Sequence, residues 1–280
     1  MTRIWGMRVP DRQEIDGAKR AKDSDTPLDS LSIAVFDVDA RIFRTMRDCF
    51  LKPVAVATAG MSRDYALYLS PIRVFIALFS FQFVVAALFG TPLTATLESM
   101  TASDADLDIA AWLASARVDF ETPLTFQRVE DKLQAIQSIT LWPITALSSL
   151  PYLIALKLYR PSTPLWGHLQ IYLVATNASF IVMIALIPLH TLGAFGIAGG
   201  MLIALLAFFI IAGVMLAHFY GRSMIALGLR LAGLVALLPI TMLITMIGTF
   251  ITIDWVLENE FGLHFMALIS PEVFAEMSTS

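Results

Sequence analysis

From Lys132 to Ile253 the chain contains no Asp and no Glu, and its few Lys and Arg residues stand in short breaks between apolar runs. A soluble fold carries about 25% charged residues, with acids spread over its surface. A long acid-free run is what a bundle of bilayer-spanning helices requires. In hydrocarbon every backbone polar group must be paired within the segment, and the side chains must be predominantly apolar. Composition agrees: 57% of the 280 residues are hydrophobic and 15% charged, with mean hydropathy +0.73. The expected class is all-α, an integral membrane bundle of about five transmembrane helices with an N-terminal amphipathic interfacial helix.

Residues 1–30 are read as a disordered cytoplasmic tail, polar and broken by Pro10, Gly17 and Pro27. The charged opening lacks the apolar core of a secretory signal, so insertion is expected to rely on the first span. Residues 31–70 are read as an amphipathic cytoplasmic or interfacial region. In it, SIAVFDVD over 32–39 resembles the first motif of haloacid-dehalogenase phosphatases. Ala40-Arg41 stands where such enzymes continue with Gly-Thr, and the chain enters the membrane before a doubly wound sheet can form. The stretch is therefore read as chance plus a helix start.

Arg41 to Lys52 is more informative. Ile42, Phe43, Met46, Cys49 and Phe50 share one helical stripe, and Arg41, Arg44, Arg47 and Asp48 lie off it. Pro53 ends or kinks the helix. A basic amphipathic helix beside a membrane entry lies in the lipid interface or on the bundle's cytoplasmic face. The expectation is that Arg41, Arg44, Arg47 and Lys52 face anionic lipids of the inner leaflet.

Residues 71–253 are expected to form the five-helix domain. The spans fall at about Pro71–Phe89, Leu133–Tyr159, Trp166–Leu189, Phe195–Phe219 and Leu231–Ile253. Tyr65 and Tyr68 suit the headgroup level before the first span. The connection 90–131 is acidic, with a small helix around Leu107–Ala116 and another starting at Thr122-Pro123. Gly196 and Gly200 give a GxxxG spacing suited to close helix packing. Basic residues recur on alternate sides: most precede Arg73, then Lys157 and Arg160, then Arg222 and Arg230. The turn after the third span has none, and the tail 254–280 carries Asp254, Glu258, Glu260, Glu272 and Glu276 instead. The positive-inside rule then puts the amino terminus in the cytoplasm, and the connection and acidic tail in the periplasm.

GMSRDYALYLSPIRVFIALFSF, FQRVEDKLQAI, WPITALSSLPYLIALKLYR and WGHLQIYLVATNASF resemble an uncharacterised family of bacterial inner-membrane proteins. The resemblance covers roughly residues 41–250. It rests on Gly60, Arg63, Tyr65 and Pro71 before the first span, and on His168 and Phe180 in a middle span. It implies a polytopic membrane protein of domain-of-unknown-function type. Members often carry an amino-terminal zinc ribbon, which the single cysteine, Cys49, does not allow here. A Yip-type five-span protein has a similar topology.

Chemistry is sparse. His168 and His218 fall at one depth on different spans and are the remote candidates for axial haem ligation. Gln82 in the first span and Gln170, Thr176 and Asn177 in the third fit interhelical glue, or alternatively a solute path. No carboxylate lies inside a span, which counts against a proton-driven carrier. No zincin, GxSxG or P-loop motif is present. The chain is read as a non-enzyme without cofactor or metal, a scaffold or accessory subunit of a membrane assembly. A permease or facilitator acting as an oligomer is the alternative. Expected partners are the bilayer with its anionic lipids, and a second copy or another membrane protein; no nucleic acid is expected.

Overall fold

The computed structural model describes residues 40–91, 93, 112, 113, 116, 124–221 and 223–265. The chain opens with α1 (Ala40–Leu51), which stops where Pro53 removes a backbone donor. Pro53 instead starts α2 (Pro53–Ser62), which ends at Arg63 in the left-handed conformation, φ 58°. Pro71 then opens α3 (Pro71–Leu88). Proline fits there because a first-turn N–H has no partner in the helix.

α4 (Phe126–Tyr159) begins at Thr125, whose hydroxyl accepts from the Arg128 N–H, and runs through Pro143 and Pro151. α5 (Leu165–Leu186) tightens into a 3₁₀ turn over Ile187–Leu192, and Gly193 at φ 71° reverses the chain into α6 (Ala194–Phe219). α7 (Met224–Ala236) and α8 (Leu238–Val256) form one long rod broken at Leu237 beside Pro239. A π-helical turn, Leu257–Phe261, follows, and Gly262 closes it at φ 63°.

The described residues contain five helical segments long and apolar enough to cross a membrane: Pro71–Leu88, Phe126–Tyr159, Leu165–Leu192, Ala194–Phe219 and Met224–Phe261. The all-α class and the five spans are as expected. The second and fifth run further than hydropathy alone suggests. The first turns of α4 carry Arg128, Glu130 and Asp131, yet one face of them buries Val129 and Leu133 against Ile253, Leu257 and Phe261. Trp112 completes this cluster and donates its indole N–H to the His264 carbonyl at 3.1 Å. Packing outside the apolar stretch keeps both helices going.

α4 and the α7–α8 rod are antiparallel and hold one register. Lys132 pairs with Glu260 at 3.0 Å, Ile144 packs on Gly248, and the Tyr159 hydroxyl lies over Gly233 and donates to the Arg230 carbonyl. Equal numbers of residues separate Lys132 from Tyr159 and Gly233 from Glu260, so the break at Leu237 costs no register. The paired length is about 40 Å at 1.5 Å per residue, which matches a bilayer with its headgroups. The Lys132 end and the Tyr159 end are thus spaced as two headgroup levels are.

α5 is the hub. It packs on α6 and α3 over long stretches and also meets α1, α2 and α4. Its buried face mixes aliphatic residues, Ile171, Leu173 and Val174, with small and polar ones, among them Gly167, Gln170, Ala175 and Asn177. A Cβ at Gly196 would strike the Leu189 carbonyl oxygen, and Gly200 lies against Leu186 and His190. The GxxxG spacing therefore serves the hairpin between the 3₁₀ turn and α6, within this chain. The tail 1–30, the 32–39 motif, most of the 90–131 connection and the end of the acidic tail lie outside the described residues.

Candidate functional site

The first candidate is the joint between α1 and the segment before α3. Arg41 donates to the Tyr65 carbonyl at 2.9 Å, and the Leu69 N–H donates to the Thr45 hydroxyl at 2.9 Å. The Tyr68 hydroxyl donates to Asp48 at 2.9 Å, and Arg47 donates to the other Asp48 oxygen at 2.8 Å. Thr45, Asp48 and Cys49 are buried, whereas Phe43 is 63% exposed. The docked face is thus the polar neighbour of the apolar stripe, and Ile42, Met46 and Phe50 are half-buried beside it. Of the basic residues, Arg44, Arg47 and Lys52 are exposed, Arg47 while paired with Asp48, and Arg41 is half-buried against Tyr65. Tyr68 faces inward to Asp48.

Electrostatics follow from this packing. The Arg47 hydrogen bond holds the Asp48 carboxyl below its ordinary range, the Tyr68 hydroxyl assists, and burial opposes. Burial pushes the Cys49 thiol up to about 12, with the Asp48 charge adding to it. Cys49 is therefore an inert core group at neutral pH. Sequence reasoning placed Asp48 only among the charged residues off the apolar stripe. The signal that was present is its helical spacing from Arg41 and Thr45, which puts these polar residues on one face.

The second candidate is a buried polar row along α5. Asn177 donates to the Pro71 carbonyl at 2.9 Å, and Trp166 donates to the Gly60 carbonyl at 3.1 Å. The Arg63 guanidinium sits 5.6 Å from the Trp166 ring centroid. Phe180 packs on Phe75 and Phe79, with centroids 5.5 and 6.0 Å away. Thus Gly60, Arg63, Pro71 and Phe180 converge on α5 with Trp166. Gln170 is fully buried, and neither amide atom has a hydrogen-bond partner. Asn177 Oδ1 and Gln82 Oε1 are likewise unpartnered.

His168 is fully buried, with Nδ1 hydrogen-bonded to the Tyr220 hydroxyl and Nε2 without a partner. His218 is exposed and edges onto its neighbour Phe219, with centroids 4.8 Å apart. One ring is enclosed between α5 and α6 and the other faces outward, so they do not frame a common space. Among the described residues, no three His, Cys, Asp or Glu side chains gather where a metal ion could be held.

The third candidate is an open groove of about 770 Å³ between α8 and the α4, α5 and α6 faces. Tyr152, Tyr172, Met201, Met242, Leu243 and Met246 contribute to its lining. Three hydroxyls in its lining are satisfied within their own helices. Thr241 donates to the Leu238 carbonyl, Thr245 to Thr241 and Ser148 to Thr145, each within its own helix.

Comparison with known proteins bears on the first two candidates. No curated protein and no solved structure matches the chain. A family described as a protein of unknown function, DUF3667, matches residues 39–83. That stretch is α1, α2 and most of α3, the elements that clasp α5, and it holds Gly60, Arg63, Tyr65 and Pro71. Over those residues the chain is similar to that family of unknown function.

Proposed function

We propose that this chain is a non-catalytic scaffold or accessory subunit of a membrane assembly. We place it in a bacterial inner membrane, with its amino terminus in the cytoplasm and its carboxyl terminus in the periplasm. One observation carries the reading: the bundle is open on one side. α8 packs along α4 and makes no extensive contact with α5 or α6, which leaves the 770 Å³ groove. Because Thr241, Thr245 and Ser148 are spent on their own backbone, the groove offers mainly methionine and leucine surface, with the Tyr152 and Tyr172 rings beside it. Such a surface fits an apolar helix of a second copy or of another membrane protein, packed by van der Waals contact. Anionic lipids of the inner leaflet meet Arg44 and Lys52 on α1.

The permease reading draws on the unpartnered amides of Gln170 and Asn177. A solute path needs polar atoms facing a continuous lumen, whereas these amides are enclosed by α2 and α3. The scaffold reading is therefore preferred. Its test uses single-cysteine variants in a Cys49→Ser background. Cross-linking in native membranes from Met246→Cys should trap a dimer or a heteromer, and Ile139→Cys, on α4 away from the groove, should trap neither. A protein that stays uncross-linked at Met246 and purifies alone as a monomer overturns the proposal. Orientation is tested with reporter fusions after Ser162 and after Glu260, expected inside and outside respectively. A periplasmic signal after Ser162 overturns that part.

A further inference from the structure

The Tyr159 end of the bundle gathers positive charge that forms no ion pair among the described residues. Lys157, in the last turn of α4, donates to the Pro161 carbonyl at 2.6 Å and the Thr163 carbonyl at 2.8 Å. Arg160 donates to the Phe219 carbonyl, and Arg230 donates to the adjoining Tyr220 carbonyl at 2.6 Å. Two guanidinium groups thus grip neighbouring carbonyls at the end of α6. The ammonium grips the α4–α5 turn beside them. Tyr220 itself is anchored to His168 on α5.

A helix carboxyl end attracts a cation, so a single arginine there needs no ligand. The end of α6 carries only about half a unit of negative charge in that account, while Lys157, Arg160 and Arg230 bring a full positive charge each. No Asp or Glu occurs between Lys132 and Ile253, and neither described ion pair involves these residues. The positive-inside rule accounts for basic residues in these turns, but it does not require them to be clamped. Each arginine spends one Nη1 on its carbonyl and keeps N–H donors in a fixed fork. Arg160 is exposed and Arg230 half-buried, so donors remain accessible.

We infer that Lys157, Arg160 and Arg230 form a binding site for a phosphate group, at the membrane level where phospholipid headgroups lie. Guanidinium forks match the oxygen spacing of a phosphate, and an ammonium adds a point charge. The carbonyl clamps fix the donors before binding, which reduces the ordering cost. Depth is set by the α4 and α7–α8 pairing, whose Tyr159 end coincides with a headgroup level. The phosphate belongs either to a lipid headgroup or to a soluble phosphate compound. The site shares no residue with the open groove or with α1.

The test follows thermal unfolding of the full chain in neutral detergent, titrated in separate arms with phosphatidic acid, diacylglycerol and inorganic phosphate at constant ionic strength. Diacylglycerol should leave the midpoint unchanged. A saturable rise with phosphatidic acid alone assigns the site to a lipid headgroup; a rise with inorganic phosphate assigns it to soluble phosphate. In the responding arm, Arg160→Gln with Arg230→Gln should raise the half-saturating concentration about tenfold, the loss expected of charge-assisted bonds. Lys132→Gln, at the opposite end of the α4 pairing, should leave it unchanged. If the double arginine variant does not fold, Lys157→Gln and Arg160→Lys are read instead, the first expected to weaken binding and the second to retain part of it. Absence of a saturable rise in both phosphate arms, or an unchanged half-saturation in the arginine or lysine variants, overturns the inference.

Discussion

Gly60 sits where α2 meets α5, and adding one methyl group there tests the joint directly. A Cβ would lie 2.5 Å from Gln170 Oε1, 3.1 Å from Gln170 Cδ and 3.1 Å from the Pro71 ring. The proline cannot yield, because it opens α3 and its carbonyl is held by Asn177. Gln170 must therefore swing in a fully buried space. Overpacking of this kind costs about 1–3 kcal/mol. Alanine returns at most about 1 kcal/mol of helix propensity over glycine, and less near a helix end. The net expectation for Gly60→Ala is a weakening of α1–α2 docking by about 1–2 kcal/mol.

Cys49 supplies the assay. It is the single cysteine of the chain, it is fully buried, and its thiol is pushed up to about 12. Labelling by a maleimide requires α1 and α2 to open, so its rate tracks the open population. A loss of 1–2 kcal/mol corresponds to labelling about five- to thirty-fold faster. Gln170→Ala removes the obstacle, so Gly60→Ala should produce little acceleration in that background. A wild-type labelling rate in Gly60→Ala refutes the packing argument. The same acceleration with and without Gln170 refutes the contact.

Further outcomes follow from the same contacts. Because the folded Asp48 carboxyl titrates below its ordinary value, its contribution is complete above about pH 4 and is lost as pH falls through the folded value; Cys49 labelling by an acid-tolerant thiol reagent should rise there, and Asp48→Asn should lack the rise. Gly196→Ala drives a methyl into the Leu189 backbone carbonyl, which cannot rotate away, and should cost about 3 kcal/mol. Gly199→Ala, which meets open space, should leave the thermal midpoint within a degree or so; equal effects at both glycines contradict the hairpin packing. Lys132→Ala breaks a pair whose side chains are 43% and 39% exposed, so it should cost no more than about 1 kcal/mol, and a larger loss would show that the pair is not solvent-screened.

The spans were legible because hydrocarbon imposes one rule on every residue it touches, and the acid-free stretch from Lys132 to Ile253 obeys it throughout. Extents were less legible. Arg128, Glu130 and Asp131 read by charge as the end of the connection, with a short helix of its own starting at Thr122-Pro123, yet α4 runs through them because Val129 and Leu133 find Leu257 and Phe261. The apolar stripe of α1 was visible, but the face that docks carries Thr45 and Asp48. Their partners Leu69 and Tyr68 lie across a turn whose geometry no period encodes. GxxxG suggested helix packing in general, and only the backbone shows that Gly196 yields to Leu189 of the preceding turn.

A single physical cause underlies the part that stayed hidden. With no carboxylate between Lys132 and Ile253, the described basic side chains from Lys157 to Arg230 and the Trp166 indole take carbonyls instead. Helix carboxyl ends and turns provide most of the carbonyls, because they leave them without an intrahelical N–H. Lys157 takes Pro161 and Thr163, Arg160 takes Phe219, and Arg230 takes Tyr220; Trp166 takes Gly60 and Asn177 takes Pro71. A carbonyl carries no side-chain identity, so these pairings leave no mark in residue type. That is why the basic turns read as topology signals alone, while folding draws them into one clamped cluster at the Tyr159 end.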